Sequence, residues 1–68
     1  MTIIVKTNGE DDSHEVVETS SGFKSTSFPP PAVGRKFFLD SQEIDIQEIE
    51  MKAEDNQTMY YYSYQNAE

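Results

Sequence analysis

Hydrophobic residues in this chain come in short clusters, and most alternate with polar residues instead of recurring every three or four positions. Thr2-Ile3-Ile4-Val5-Lys6-Thr7 carries β-branched side chains at five of six positions, which suits a pleated, half-buried strand. The run stops at Asn8-Gly9, where both residues tolerate positive φ and favour a tight turn. Glu10, Asp11 and Asp12 follow. Three adjacent carboxylates are poor strand formers, so the sequence predicts an acidic loop over 8–15 and no immediate return strand. Strand character resumes at His14-Glu15-Val16-Val17-Glu18-Thr19, and Ser20-Ser21-Gly22 breaks it. Residues 23–28 then fit a further short strand or an extended segment. Phe28-Pro29-Pro30-Pro31 excludes a central strand or a helix interior, because three prolines remove three donors and fix φ. A stiff polyproline II linker over 28–34 is expected, with Gly34 bending the chain into Arg35-Lys36-Phe37-Phe38-Leu39.

The second half is more regular. Asp40-Ser41-Gln42-Glu43 reads as a turn or as a capping box, and the capping reading opens a helix over 41–54. At about 100° per residue, Ile44 and Met51 fall together while Ile46, Ile49 and Ala53 lie on the opposite side. No single apolar stripe results. Alternation accounts for the pattern better: Ile44 and Ile46 share one parity, and Ile49, Met51 and Ala53 share the other. The switch at Gln47-Glu48 then marks a bulge or bend.

Asp55-Asn56 serves as a two-residue turn into the tyrosine-rich end, and that turn fixes a register. Ala53 faces Thr58, Met51 faces Tyr60, Ile49 faces Tyr62 and Gln47 faces Tyr64. On the other side Lys52 pairs with Met59, Glu50 with Tyr61 and Glu48 with Ser63. Tyr60, Tyr62 and Tyr64 thereby fall on the core side, and Tyr61 stands with Met59 on the opposite face. The whole suggests an all-β domain over 1–68, with five to six short strands in a small twisted antiparallel sheet or partly open barrel ending in a β-hairpin. The run from Val33 to Tyr64 (glycine, apolar strand, acidic turn, apolar strand, hairpin) resembles SH3-like small barrels. That resemblance implies a fold and assigns no functional residue.

Charge narrows what such a domain can do. Thirteen acidic residues oppose five basic ones on 68 residues, a net charge of −8. A surface this negative repels nucleic acid and anionic lipid and favours basic partners. A chain of this length buries only about 60% of its unfolded surface, and with no cysteine it has no disulfide to reinforce it. The apolar runs Ile3–Val5 and Phe37–Leu39 are too short to cross a bilayer, and no secretion signal precedes them, so a cytoplasmic protein is expected.

Candidate chemistry is sparse. His14 is the single histidine and lies among solvated residues, whereas a hydrolytic triad needs a buried acid to orient its imidazole. No catalytic residue, cofactor or metal site is expected, and the chain reads as a non-enzyme. Glu10, Asp11, Asp12, His14, Glu15 and Glu18 do concentrate hard donors, but without the spacing of a calcium loop. A solvated acidic loop is the plainer reading. Phe28-Pro29-Pro30-Pro31 resembles the start of the proline motif gripped by EVH1 domains, with Ala32 in place of its fifth residue. A rigid linker anchored by Phe28 accounts for it more simply. The tyrosines have no Lys or Arg close in sequence, which argues against base stacking on nucleic acid.

The acidic residues of the last hairpin offer more. Asp45, Glu48, Glu50 and Glu54 recur so that alternate ones share a sheet face about 7 Å apart, similar to successive phosphates along a strand. They are the expected partner-binding residues together with Met59 and Tyr61, the carboxylates steering association and the last two supplying contact. In size and acidity the chain resembles DNA-mimic inhibitors, such as phage anti-restriction and anti-CRISPR proteins. That likeness implies a basic, nucleic-acid-handling enzyme as partner. The alternative is a small structural β-barrel subunit of a larger or homo-oligomeric assembly, suggested by the marginal core and by apolar side chains on both faces of the hairpin.

Overall fold

The computed structural model describes residues 1–67. Seven strands form one antiparallel sheet: β1 (Thr2–Thr7), β2 (Glu10–Glu15), β3 (Val17–Glu18), β4 (Gly22–Ser25), β5 (Arg35–Leu39), β6 (Gln42–Glu54) and β7 (Gln57–Asn66), in the order β2-β1-β5-β6-β7-β4-β3. No helix occurs among the described residues. The all-β antiparallel architecture read from the alternation is the observed one.

Three tight turns set the register. Asn8 and Gly9, Asp40 and Ser41, and Asp55 and Asn56 all have positive φ, between 48° and 86°. Paired positive φ is the two-residue hairpin geometry whose twist matches the strands it joins. The Asp40-Ser41 turn excludes a helix cap, and residues 42–54 form a single strand.

The acidic loop expected over 8–15 is corrected by the structure. Asn8-Gly9 closes a hairpin in which Thr7 faces Glu10 and Thr2 faces Glu15. The carboxylates are tolerated because β2 is an outer strand and Glu10, Asp11 and Asp12 all remain exposed. Asp11 pairs with Lys6 at 3.8 Å. Glu15 accepts from the Met1 ammonium at 2.8 Å and from the Thr2 hydroxyl at 2.7 Å. These bonds hold the Glu15 carboxyl below its usual range, the ammonium contributing most.

The strand expected over 14–19 is divided at Val16. Its N–H donates to the Met1 carbonyl at 2.8 Å, continuing the β1 pairing, and Val17 then pairs with Lys24 of β4. The two outer strands of the sheet are thus separated by one residue, and the sheet curls back on itself without closing.

Ile3, Val5, Phe37, Ile44, Phe23 and Tyr62 fill the concave side, with Val16 at the corner and Phe28 above. Tyr60 and Tyr64 pack against this core partly buried, as their parity requires. Phe28 fixes the proline segment across the open end. Its ring lies 5.1 Å from those of Phe23 and Tyr62 and 5.6 Å from that of Phe37. The Tyr62 hydroxyl donates to the Phe28 carbonyl at 3.4 Å, and burial raises the Tyr62 pKa. Farther along, the Arg35 guanidinium donates to the Pro30 carbonyl. On the far side of the core Gly22 faces Ser63, so close to β7 that a Cβ there would stand 2.0 Å from the Tyr62 carbonyl oxygen.

Candidate partner-binding site

β6 is far longer than its neighbour β5, and the site arises from that mismatch. β5 pairs with β6 only at Phe37–Leu39 and Gln42–Ile44. All of β5 pairs with β1, and its earlier residues, Arg35 and Lys36, pair there with Thr7 and Lys6 but with no residue of β6. Beyond Ile44, β6 therefore has β7 as its sole strand partner among the described residues, and one edge of the strand is open. The molecule measures 35 × 21 × 20 Å, and the β6–β7 hairpin is its longest element.

Within the hairpin the expected pairs form: Ile49 with Tyr62, Met51 with Tyr60, Ala53 with Thr58, Glu48 with Ser63, Glu50 with Tyr61 and Lys52 with Met59. The pair Gln47–Tyr64 does not. The register shifts between Ile46 and Glu48, and Ile46 takes the place opposite Tyr64. The extra residue lets Ile44 and Ile46 face the core while Ile49 and Met51 keep to the same side farther out.

That outer part of the concave face is not covered. Ile49 is 44% exposed and Met51 68%. Ile49, Tyr60 and Tyr62 line a cleft of about 530 Å³ together with Phe28, Pro29, Pro30 and His14. The His14 ring meets Phe28 edge-on at 5.5 Å. A second cleft, of about 300 Å³, lies where β6 leaves β5 and is lined by Pro31, Arg35, Lys36, Asp45 and Gln47 among others.

The convex face carries the six residues expected to contact a partner. Asp45, Glu48 and Glu50 stand opposite Gln65, Ser63 and Tyr61, which alternate along β7, so the three carboxylates share one face and all are exposed. Glu54 lies on the same side but is engaged. It accepts from the Tyr61 hydroxyl and pairs with Lys24 at 3.3 Å. Lys52 and Lys24 sit over the Tyr61 ring, 4.6 and 5.5 Å from its centre, a favourable placement of cations on a π face. Met59, half-buried, pairs with Lys52.

The convex face therefore has two parts: a free acidic row at Asp45, Glu48 and Glu50, and an internally paired cluster around Tyr61. In the cluster, the Tyr61 hydroxyl bond and then Lys24 lower the Glu54 pKa. Glu54 raises the pKa of both Tyr61 and Lys24.

Sequence reasoning placed Ile49 and Met51 on the core side and so passed over them as contact residues. The signal was present in the lengths: thirteen alternating residues beside a five-residue strand leave most of the longer one without a neighbour. The carboxylates near His14 point alternately to opposite faces of β2, and no group of three or more possible ligands converges on a metal position among the described residues. No described helix is long and apolar enough to cross a membrane. Comparison with protein families, curated proteins and solved structures finds no match for this chain.

Proposed function

We propose that this chain is a non-enzymatic acidic module that binds a basic protein through the β6–β7 hairpin. The observation that carries the reading is the exposed row Asp45, Glu48 and Glu50 on one face of a hairpin whose outer edge is open. Three carboxylates at strand spacing, on a chain of net charge −8, suit a groove built to neutralise phosphates, and the role we favour is that of an inhibitor whose partner is a cytoplasmic nucleic-acid-handling enzyme. Charge of this kind steers encounter and selects partners more than it adds raw affinity. Tyr61 and Met59 flank the row as a contact surface. Tyr61 is held in place by Glu54 and the two lysines, which reduces the entropy it loses on binding.

The test is a pull-down with the chain as bait at low and high salt, beside a Glu48→Gln, Glu50→Gln variant. A basic prey captured at low salt and lost in high salt and in the variant supports the reading. The same prey held equally in all conditions refutes its electrostatic part. Exposed Ile49 and Met51 also suit a second reading, self-assembly through the hairpin as a structural subunit. A monomer in sedimentation at micromolar concentration excludes it.

A further inference from the structure

The open edge of β6 has a chemistry of its own. In a two-residue hairpin the residues flanking the turn exchange both hydrogen bonds, and bonded pairs then alternate with non-bonded ones. Glu54 and Gln57 flank the turn, so Lys52, Glu50 and Glu48 also bond to β7. The N–H and C=O groups of Ala53, Met51 and Ile49 consequently point away from β7, where no strand lies beside them among the described residues. Such a row is a template for another strand.

We propose that β6 is extended by a strand from the partner, and that this strand alternates apolar and basic residues. The proposal rests on the binding reading above and names the partner's chemistry. Residues directly opposite on adjacent strands share a face. A strand laid along β6 therefore puts one set of side chains beside Ile49 and Met51, over the cleft walled by Tyr60 and Phe28. Its alternate set lies beside Glu48 and Glu50. The first set has to be apolar, and the second has to be Lys or Arg. Arg35 and Lys36 border the other end of the open edge, so the basic residues belong opposite Glu48 and Glu50 and not beyond Asp45.

The same charges reject other occupants. β6 contains Glu43, Asp45, Glu48, Glu50 and Glu54 against Lys52 alone. Two β6 edges side by side would crowd these carboxylates into one ribbon, so a second copy is disfavoured along with any neutral or acidic strand. Acidic flanks thus act as a filter on an otherwise permissive edge.

The experiment is an NMR titration of the labelled chain with three end-blocked peptides of equal composition, each roughly nine residues long to match a typical strand. One alternates valine and lysine, one groups the valines and lysines in blocks, and one alternates but is N-methylated on the side that faces β6. The alternating peptide is expected to bind and to protect the Ile49, Met51 and Ala53 amides from exchange. The other two should bind at least about tenfold more weakly, a loss near 1.4 kcal/mol. Met51→Pro gives an independent check, because proline is tolerated where an edge N–H faces solvent. This variant should keep its fold and charge and lose the preference for alternation. Equal affinity for all three peptides would overturn strand addition and leave the charge-based reading standing. No binding to any of them at low salt would overturn both. A free protein that dimerises with those amides already protected would assign the edge to a second copy, against the proposal.

Discussion

Gly22→Ala is the sharpest test of how the hairpin is held to the rest of the sheet. The new methyl carbon would stand 2.0 Å from the Tyr62 carbonyl oxygen, well inside contact distance. That oxygen is backbone and cannot swing aside. β4 must move away from β7 by more than an ångström, which disrupts the pairing of Gly22–Ser25 with Tyr60–Ser63 and loosens Phe23, the largest fully buried side chain. Overpacking of this sort costs about 3 kcal/mol, at the upper end of its usual range. A domain of this length has only about 3–10 kcal/mol in total, and at 4–8 °C per kcal/mol its Tm should fall by about 10–25 °C. Thermal melts followed by circular dichroism, with urea melts beside them, read the change. Gly9→Ala is the control: Gly9 has φ +86° and nothing within 4 Å of the position a methyl would take, so only backbone strain of about 1–2 kcal/mol applies. A Gly22→Ala protein melting within a few degrees of the parent, or above Gly9→Ala, would refute the steric reasoning.

Other outcomes follow from the same structure. Phe28→Ala removes a ring packed against those of His14, Phe23, Phe37 and Tyr62 and should cost about 3–5 kcal/mol, with new protease sensitivity in the proline segment. Ser41→Gly relieves a φ of +66° and should raise stability by about 0.5 kcal/mol, the strain of 1–2 kcal/mol being offset by glycine's extra unfolded-state entropy; a lower urea midpoint would contradict this. Glu54→Gln should bring the Tyr61 titration to lower pH, followed by tyrosinate absorbance or ring chemical shifts. The signs in the parent protein are opposite for Glu54 and for its two partners. Glu54 is lowered, so its contribution is present above the unfolded carboxyl pKa and lost as pH falls through the folded one. Tyr61 and Lys24 are raised, so theirs is present below their unfolded values and lost as pH climbs through the folded ones.

The hairpin register was legible in the sequence because two constraints agree there. Asp55-Asn56 fixes which residues face each other, and the parity change at Gln47-Glu48 announces the bulge. β2 was illegible for a physical reason: β propensity records burial as much as backbone preference. Glu10, Asp11 and Asp12 lose little hydration on an outer strand, so pairing with β1 decides the conformation. The Tyr61 cluster was hidden because Lys24 arrives from β4, a strand remote in sequence and adjacent only through the sheet order. Likewise, Ile49 and Met51 carry the parity of core residues, and only the early departure of β6 from β5 leaves them uncovered. Sequence parity assigns a face; the length of the neighbouring strand decides whether that face is buried.

The three tight turns also divide the chain by folding time. The β1–β2, β5–β6 and β6–β7 hairpins join strands adjacent in sequence, and hairpins of this kind form in roughly 1–10 μs. The β1–β5 and β4–β7 pairings join segments far apart along the chain, and the entropy lost in closing those loops opposes them before any contact has formed. Docking of the hairpins across the proline segment is therefore the expected slow step of folding, and substitutions in that segment should slow refolding more than substitutions in the turns. Until docking is complete, the β6–β7 hairpin stands without β4, and the edge of β7 that β4 later covers is as open as that of β6.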